Sequence, residues 1–308
     1  MYPEVAIMVE GQNGLNWSRW QRLARAVEDL GFAGLFRSDH FTNARPPDKD
    51  SLELWVSLTY LATHTRRIAF GPLVTPLSFR HPVFTARMAK DVDDLSGGRL
   101  VLGVGAGWQE REHRMFGFAL GSVAERFARL EEGLEVITRL LRDPDRVTFH
   151  GRYFHLDDAV LLPRPARPGG PPVLIGGNGP RRTLPLVARY ADEWNALFLP
   201  PERFAALNAR LDALLRAAGR EPAAVRRSLM TGLVFGRDEV ELQRKLEGRP
   251  PAEDLRARGL VVGTPAQVRD QIAALGQAGV QRVMLQWLDL DDLDGLAALA
   301  QAVLPTAG

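Results

Sequence analysis

The sequence predicts an α/β fold of the (β/α)₈ type, a TIM barrel, and three observations lead to that prediction. Apolar runs of strand length alternate with stretches of helical period along almost the whole chain, the pattern of βαβ units around a parallel sheet. Eight candidate strands can be counted, the number that closes such a barrel. The chain has 308 residues, a length that α/β barrels occupy as one domain. We therefore expect a single domain over residues 1–308.

The predicted strands are separated by helices with one apolar face. Residues 17–30 and 123–141 carry apolar side chains at spacings of three and four, as a helix packed on a sheet requires. Ser18 is the expected start of the first helix, and Ser122 with Glu125 offers a capping box for the second. The predicted strands cover residues 5–9, 34–37, 68–74, 100–105, 172–175, 194–197, 227–235 and 282–287.

Two segments depart from this regular alternation. Residues 107–171, between the fourth and fifth strands, hold a helix, a hairpin-like run at 148–155 and a proline-rich stretch. We interpret them as an insertion and not as a second domain. Residues 236–260 are charged and short of apolar side chains, so we expect a variable, irregular segment that covers the barrel mouth or moves there.

The composition excludes several classes of function. The 39 basic and 37 acidic residues leave a net charge of +2 and are dispersed, so no nucleic-acid partner is expected. The chain has no cysteine, which excludes disulfides and a cysteine nucleophile and fits a reducing cytoplasm. It has neither a secretion signal nor an apolar run of membrane-spanning length, so no membrane partner is expected. The six histidines are dispersed and no HExxH occurs, so we expect no metal site.

Asp39 and His40 directly follow the second predicted strand. Catalytic groups of barrels of this type project from the carboxyl ends of the strands. His40 is suited to general acid–base catalysis because histidine titrates near neutral pH, and Asp39 could bind a donor on a ligand. The alternative is that Asp39 caps the next segment while His40 packs in a loop. The strand-end position favours a site.

The third predicted strand runs into glycine and prolines at residues 71–76. Proline cannot donate a ladder hydrogen bond, and glycine in a strand often marks a bulge. We therefore expect a bulge or a strained peptide there. The residues that this irregular stretch would present to a ligand are Pro72, Leu73, Val74 and Thr75.

The fourth predicted strand ends in closely spaced glycines. Gly103, Gly105 and Gly107 remove side chains, either because the barrel bends tightly there or because a flat ligand approaches the backbone. The spacing is not that of a dinucleotide-binding fingerprint, which disfavours a Rossmann fold. The candidate ligand contacts are Gly105, Ala106, Gly107 and Trp108.

The fifth predicted strand also passes through glycines, into an expected helix with Pro180 in its first turn. Free N–H groups at such a helix end bind phosphate, and Arg181 adds charge nearby. The alternative is a plain turn in which Asn178 caps the helix. The predicted anion site comprises Ile175, Gly176, Gly177, Asn178, Gly179, Pro180 and Arg181.

Read together, these segments resemble the bacterial luciferase-like superfamily, and within it the deazaflavin-dependent oxidoreductases that use coenzyme F420. The resemblance extends over nearly the whole chain. Its most specific parts are the glycine-rich run at 96–108, Glu112-His113, Phe116-Gly117, Glu125-Arg126-Phe127 and the run at 149–154.

This resemblance implies a luciferase-like barrel that binds a flavin or deazaflavin at its carboxyl mouth, with the cofactor phosphate at residues 176–181. It implies a non-prolyl cis peptide at Pro72-Leu73 or its neighbour. It also implies that Asp39 contacts the cofactor ring and that His40 exchanges a proton with the substrate, which makes these two the expected catalytic pair. A homodimer is implied as well, packed through helices whose apolar stripes lie at 55–61 and 84–92; those stripes could equally face the barrel.

The sequence departs from its sugar-phosphate-oxidising relatives at Trp108, where they carry a glutamate. The end of the sixth strand, residues 195–200, is apolar and has no lysine for a phosphorylated substrate. A small, neutral or apolar substrate is therefore expected. Two alternatives stay open: a monooxygenase that uses FMN and oxygen, and a barrel that binds a small ligand without turnover.

Overall fold

The structure, a computed structural model, describes residues 1–305. Parallel strands follow one another in the order β3-β2-β1-β12-β10-β9-β8-β5-β4, and the ring closes where Phe70 N–H donates to Arg99 O (3.2 Å) and Val101 N–H to Phe70 O (2.9 Å). The predicted (β/α)₈ barrel is confirmed. The strands are β1 (Glu4–Val9), β2 (Gly34–Arg37), β3 (Ala69–Pro72), β4 (Thr75–Pro76), β5 (Leu102–Gly105), β6 (Val147–His150), β7 (His155–Ala159), β8 (Val173–Gly176), β9 (Glu193–Leu197), β10 (Arg226–Phe235), β11 (Val261–Gly263) and β12 (Arg282–Gln286).

Helices surround this barrel, and one short 3₁₀ turn, Pro222–Ala224, precedes β10. Apolar side chains between strands and helices form the main core, while a smaller apolar cluster fills the barrel interior. This division follows from the alternation of side chains along each strand. The helices are α1 (Trp17–Leu30), α2 (Leu54–His64), α3 (Pro82–Leu95), α4 (Glu110–Phe116), α5 (Val123–Arg142), α6 (Thr183–Tyr190), α7 (Pro201–Ala217), α8 (Glu239–Leu246), α9 (Ala252–Ala257), α10 (Pro265–Gln277) and α11 (Leu293–Val303).

The helix starts were predicted with mixed success. Ser122 and Glu125 form the predicted capping box of α5, each side chain accepting the other residue's backbone N–H, at 3.3 and 2.8 Å. The predicted start of α1 at Ser18 is wrong, because Asn16 caps the helix by accepting from the Arg19 N–H at 3.1 Å. Both asparagine and serine are good caps, so composition alone could not choose between them.

The third barrel strand is split into β3 and β4, as the glycine and prolines predicted. The Leu73–Val74 peptide is cis, which is the neighbour of Pro72-Leu73 that the expectation included. A Cβ on Gly103 would lie 2.1 Å from the carbonyl oxygen of Pro72, so this glycine is required by the close approach of two backbones. One part of the glycine run therefore serves the barrel itself.

Of the two segments that depart from the regular alternation, the insertion at 107–171 has the predicted helix and hairpin, and the segment at 236–260 is more ordered than expected. The insertion contains α4, α5 and the antiparallel hairpin β6–β7. The expectation of an irregular segment at 236–260 is wrong, because it contains α8 and α9. The reason is a small apolar cluster, in which Leu242 and Leu255 pack on Val234 and Val262 of the β10–β11 pair. Within residues 1–305, no helix is both long and apolar enough to span a membrane.

Candidate functional site

A cavity of about 550 Å³ opens at the carboxyl ends of the barrel strands. Its size is ordinary for a small-molecule or cofactor site. The predicted site residues that line it are His40, Leu73, Val74, Gly105, Ala106, Gly107, Trp108, Gly176 and Gly177. The predicted site residues outside this lining are Asp39, Pro72, Thr75, Ile175, Asn178, Gly179, Pro180 and Arg181.

His40 is held by a buried carboxylate. Its Nδ1 lies 2.8 Å from Oε1 of Glu112, a side chain only 1% exposed, and the other carboxylate oxygen accepts the Phe41 N–H at 3.0 Å. A carboxylate ion accepts hydrogen bonds and does not donate them, so Nδ1 carries the proton. The other ring nitrogen, Nε2, has no hydrogen-bond partner among residues 1–305 and is free to contact a ligand in the cavity.

The charges around His40 alter its protonation. Burial is the largest effect and by itself lowers the pKa of His40. The hydrogen bond to Glu112, together with the negative charges of Glu112, Glu10 and Asp39, outweighs it and raises the pKa above the usual value. His40 therefore takes up a proton more readily than an ordinary histidine, which suits a group that accepts a proton from a substrate.

Asp39 is buried beside His40, and its carboxylate already has partners in the protein. It accepts a hydrogen bond from the Thr75 hydroxyl at 2.7 Å and forms an ion pair with Arg80. Arg80 also pairs with Glu53 at 2.7 Å. The structure therefore gives Asp39 a role in joining β2 to β4, and its contact with a cofactor ring stays a prediction.

A hydrogen-bonded network occupies the ends of β1, β2 and β12. Glu10 accepts from Gln286 Nε2 at 2.6 Å and from Gln12 Nε2 at 2.9 Å. The Ser38 hydroxyl in turn donates to Gln12 Oε1 at 2.7 Å. Together with the histidine pair these groups form one side of the cavity, which we call the polar wall. Its members are Glu10, Gln12, Ser38, His40 and Glu112.

The remaining lining is largely apolar and rich in glycine. A Cβ on Gly105 would lie 2.5 Å from Val74 Cγ2, and a Cβ on Gly176 would lie 3.2 Å from Val74 Cγ1. These two glycines therefore make room for Val74, which lines the cavity. We call this side the apolar wall. Its members are Leu73, Val74, Ala106, Phe127, Leu197 and Phe198.

The predicted anion site is built differently from the expectation. Helix α6 begins at Thr183, so the placement of Pro180 in its first turn is wrong. Asn178 does not cap the helix, because its side chain donates to Leu197 O at 2.7 Å and accepts the Leu197 N–H at 2.9 Å. This pairing keeps the chain alongside β9 and delays the helix. Gly176, Gly177 and Thr183 are the parts of this segment that line the cavity.

Several lining residues were not predicted. Glu10 and Gln12 follow β1 directly, and the strand-end rule that found His40 could have found them. Glu112 carries no such signal, since it lies on α4 and is 72 residues from its partner. Residues 195–200 were expected to shape the substrate pocket, and Asn195, Leu197 and Phe198 of that segment do line the cavity. The lining residues outside the predicted site residues and this segment are Met8, Glu10, Gln12, Ser38, Pro76, Glu112, Phe127, Thr183 and Met230.

A family comparison agrees with this geometry. Residues 4–252 match the model of the luciferase-like monooxygenases. The chain belongs to the luciferase-like monooxygenase family. The predicted resemblance to this family and to its F420-dependent members is confirmed.

Individual members of the luciferase-like family are similar over much of the chain. The F420-dependent hydroxymycolic acid dehydrogenase of Mycobacterium tuberculosis is 31% identical over 283 residues, 91% of this chain and 74% of that protein. An F420-dependent glucose-6-phosphate dehydrogenase of Nakamurella multipartita is 38% identical over 174 residues; the match spans 55% of this chain and 49% of that protein, about half its length.

A solved luciferase-like structure extends the comparison to the fold. An F420-dependent secondary alcohol dehydrogenase, in complex with an F420-acetone adduct, superposes with a TM-score of 0.85 over 99% of this chain and 100% of that chain. The identity is 19%, so this similarity concerns the fold alone.

Proposed function

We propose that this protein is a coenzyme F420-dependent oxidoreductase that transfers a hydride between the deazaflavin and a small, neutral or apolar organic substrate. The observation that carries the proposal is His40, whose Nδ1 is fixed by buried Glu112 while its ring lines the cavity at the barrel mouth. The similarity to F420-dependent dehydrogenases supports the choice of cofactor.

The residues of the cavity fit a flat ring with a phosphate-bearing chain. Val74 occupies space that side chains at positions 105 and 176 would otherwise fill, so this side of the cavity presents Val74 and the backbone of two glycines to a ligand. Thr183, the first residue of α6, offers a backbone N–H and a hydroxyl near the cavity for the phosphate, whereas the Gly177 N–H already donates to Asn195 O at 2.9 Å. When bound, the deazaflavin would accept or supply the hydride.

The protein's own groups handle the proton. In alcohol oxidation, His40 Nε2 takes the hydroxyl proton as the hydride leaves carbon, and in carbonyl reduction it returns that proton to oxygen. Glu112 holds the ring in one tautomer and stabilises the charged form. Asp39 belongs to the same site in our proposal through its negative charge, which favours protonated His40.

The proposed substrate class follows from the lining. No lysine or arginine side chain of the described chain lines the cavity, so it offers no cation to a phosphate or carboxylate on the substrate. Phe127, Leu197 and Phe198 offer apolar surface instead, and Trp108 places an indole in the lining where the family resemblance implies an acid in sugar-phosphate-oxidising members. A neutral secondary alcohol, ketone or enone with an apolar body is the class that we propose.

Binding and turnover can be tested separately. Fluorescence titration with oxidised F420 and with FMN measures which cofactor binds, and we expect F420 to bind more tightly. A panel of alcohols, ketones and enones is then assayed by the absorbance change of the deazaflavin. Tight binding of FMN alone would overturn the proposal in favour of an oxygen-using monooxygenase. F420 binding without hydride transfer to any panel member would favour a non-catalytic barrel.

We also propose that the protein works as a homodimer, in the cytoplasm. Val56 of α2 and Phe84 of α3 are 57% and 60% exposed, which leaves apolar surface on the two helices that the family resemblance implies for packing. The absence of cysteine supports a reducing compartment. Light scattering tests the dimer, and a Phe84→Asp variant that stays dimeric would contradict this interface.

A further inference from the structure

A residue on the floor of the cavity, beside the apolar cluster inside the barrel, carries a buried polar atom without a partner. Asn195 of β9 is fully buried and lines the cavity together with Met8 and Met230, which belong to the apolar cluster inside the barrel. Its side-chain oxygen, Oδ1, has no hydrogen-bond partner among residues 1–305. A carbonyl oxygen in such surroundings has lost its water without gaining a donor, and this is unfavourable.

The hydrogen bonds around Asn195 determine which end of its amide is free. Nδ2 donates to the Ser228 hydroxyl at 3.0 Å and contacts Met284 Sδ at 3.5 Å. The Ser228 hydroxyl gives its single hydrogen to Trp194 O at 3.2 Å, so it can only accept from Asn195. The amide nitrogen is therefore committed to the barrel interior, and the oxygen is the end left without a partner.

We propose that Asn195 Oδ1 is a recognition group that accepts a hydrogen bond from an N–H or O–H on the edge of the cofactor ring. The inference rests on the proposed function and deepens it, because it assigns the floor of the cavity to a flat heterocycle that carries a donor. Flavin and deazaflavin rings share an imide N–H, whereas only the 8-hydroxydeazaflavin also carries a phenolic O–H. Either donor would satisfy the buried oxygen.

Asn195→Leu tests this role, because leucine is close to asparagine in size and lacks the oxygen. Dissociation constants for F420 and for FMN are measured by fluorescence titration, and the melting temperature is measured without cofactor. We expect the variant to bind F420 about tenfold more weakly, the effect of one lost hydrogen bond. Its melting temperature without cofactor should be equal or higher, because a buried unpaired oxygen is removed.

Met284→Leu is the matched control: it changes the neighbouring side chain, and F420 binding should be unchanged.

The two cofactors distinguish the two donors. Equal weakening of F420 and FMN binding points to the imide N–H, and weakening of F420 alone points to the phenolic O–H. If Asn195→Leu binds both cofactors as the wild type does, the inference is overturned while the proposed function stands. If the wild type itself binds neither cofactor, both are overturned. Should the leucine variant fail to fold, Asn195→Ala, which only truncates the side chain, is measured in the same way.

Discussion

The polar wall and the apolar wall of the cavity achieve order in different ways. Side chains of the polar wall are fixed by hydrogen bonds to one another, as His40 is by Glu112 and Gln12 by Ser38. In the apolar wall, Val74 is instead accommodated by the absence of side chains at Gly105 and Gly176. This difference suggests a division of labour in which one wall manages the proton and the other shapes the cofactor site. Substitutions in the polar wall should therefore lower turnover, and substitutions in the apolar wall should weaken cofactor binding.

The largest effect is expected at His40. Replacing it with asparagine removes the proton-exchanging nitrogen, so kcat should fall by about 10²- to 10⁴-fold, the range of general acid–base catalysis, while F420 binding is retained. Steady-state kinetics and fluorescence titration measure the two quantities.

The matched control is His113→Asn. That histidine is fully buried, and Gln109 O and the Ser78 hydroxyl occupy its two nitrogens at 2.8 and 2.7 Å, so its loss should lower stability more than kcat. An active His40→Asn variant would remove the proton role from the polar wall.

The next effect is expected at Glu112. Glu112→Gln removes the charge and the acceptor that orient His40, so kcat should fall roughly ten- to hundredfold. The same change removes the main influence that raises the pKa of His40. Alcohol oxidation needs neutral His40, so the rising limb of the pH–rate profile should move to lower pH. Glu110→Gln, an exposed change on the same helix, should leave the profile unmoved. If the rising limb of the pH–rate profile stays in place in Glu112→Gln, a group other than His40 controls it.

In the apolar wall we expect a smaller effect, which falls on cofactor binding and not on turnover. Gly105→Ala places a methyl group 2.5 Å from Val74 Cγ2 and forces Val74 to move, a disturbance of about 1–3 kcal/mol. F420 binding should weaken about tenfold, with the pH profile unchanged. Gly176→Ala is the milder counterpart, because its Cβ meets Val74 at 3.2 Å. Equal binding by both variants and the wild type would mean that the position of Val74 does not shape the cofactor site.

The smallest effect is expected at Trp108, which lines the cavity and contacts His40 of the polar wall. The ring centroids of Trp108 and His40 are 5.6 Å apart and the ring planes are inclined at 82°, an edge-to-face contact worth about 0.5–1.5 kcal/mol. Trp108→Phe keeps an aromatic ring there, so we expect a modest rise in KM and no shift in the rising limb of the pH–rate profile. Trp108→Ala should raise KM further. A large loss of kcat in the phenylalanine variant would instead assign the indole itself to the chemistry.

The barrel could be predicted from the sequence because its signals are local. Alternating apolar runs, strand-end polar residues and the prolines of the third strand each reflect nearby residues, and the structure confirms the fold. The start of α6 could not be predicted in this way. It depends on Asn178 pairing with the backbone of Leu197 on the next strand, and this overrides the preference of Pro180 for a first turn.

The site was partly predictable for the same reason. His40 and the glycines lie at strand ends, whereas Glu112 reaches the site only because α4 folds back over β2. Asp39 lies at a strand end too, yet Arg80 and Thr75 engage its carboxylate, a partnership that spacing could not reveal. Residues 236–260 were misread because two leucines, Leu242 and Leu255, suffice to anchor short helices.

The burial of Glu112 has a consequence for the direction of the reaction. Its carboxylate is enclosed by His40 and the Phe41 N–H, so it offers no path by which a proton could pass from the histidine to the solvent. Under the proposed function, a proton taken from an alcohol stays on His40 beside the newly formed carbonyl until the cavity empties. The same molecule is then ready for the reverse step. We expect a reversible catalyst whose net direction is set by the concentrations of alcohol and carbonyl compound together with the ratio of oxidised to reduced cofactor.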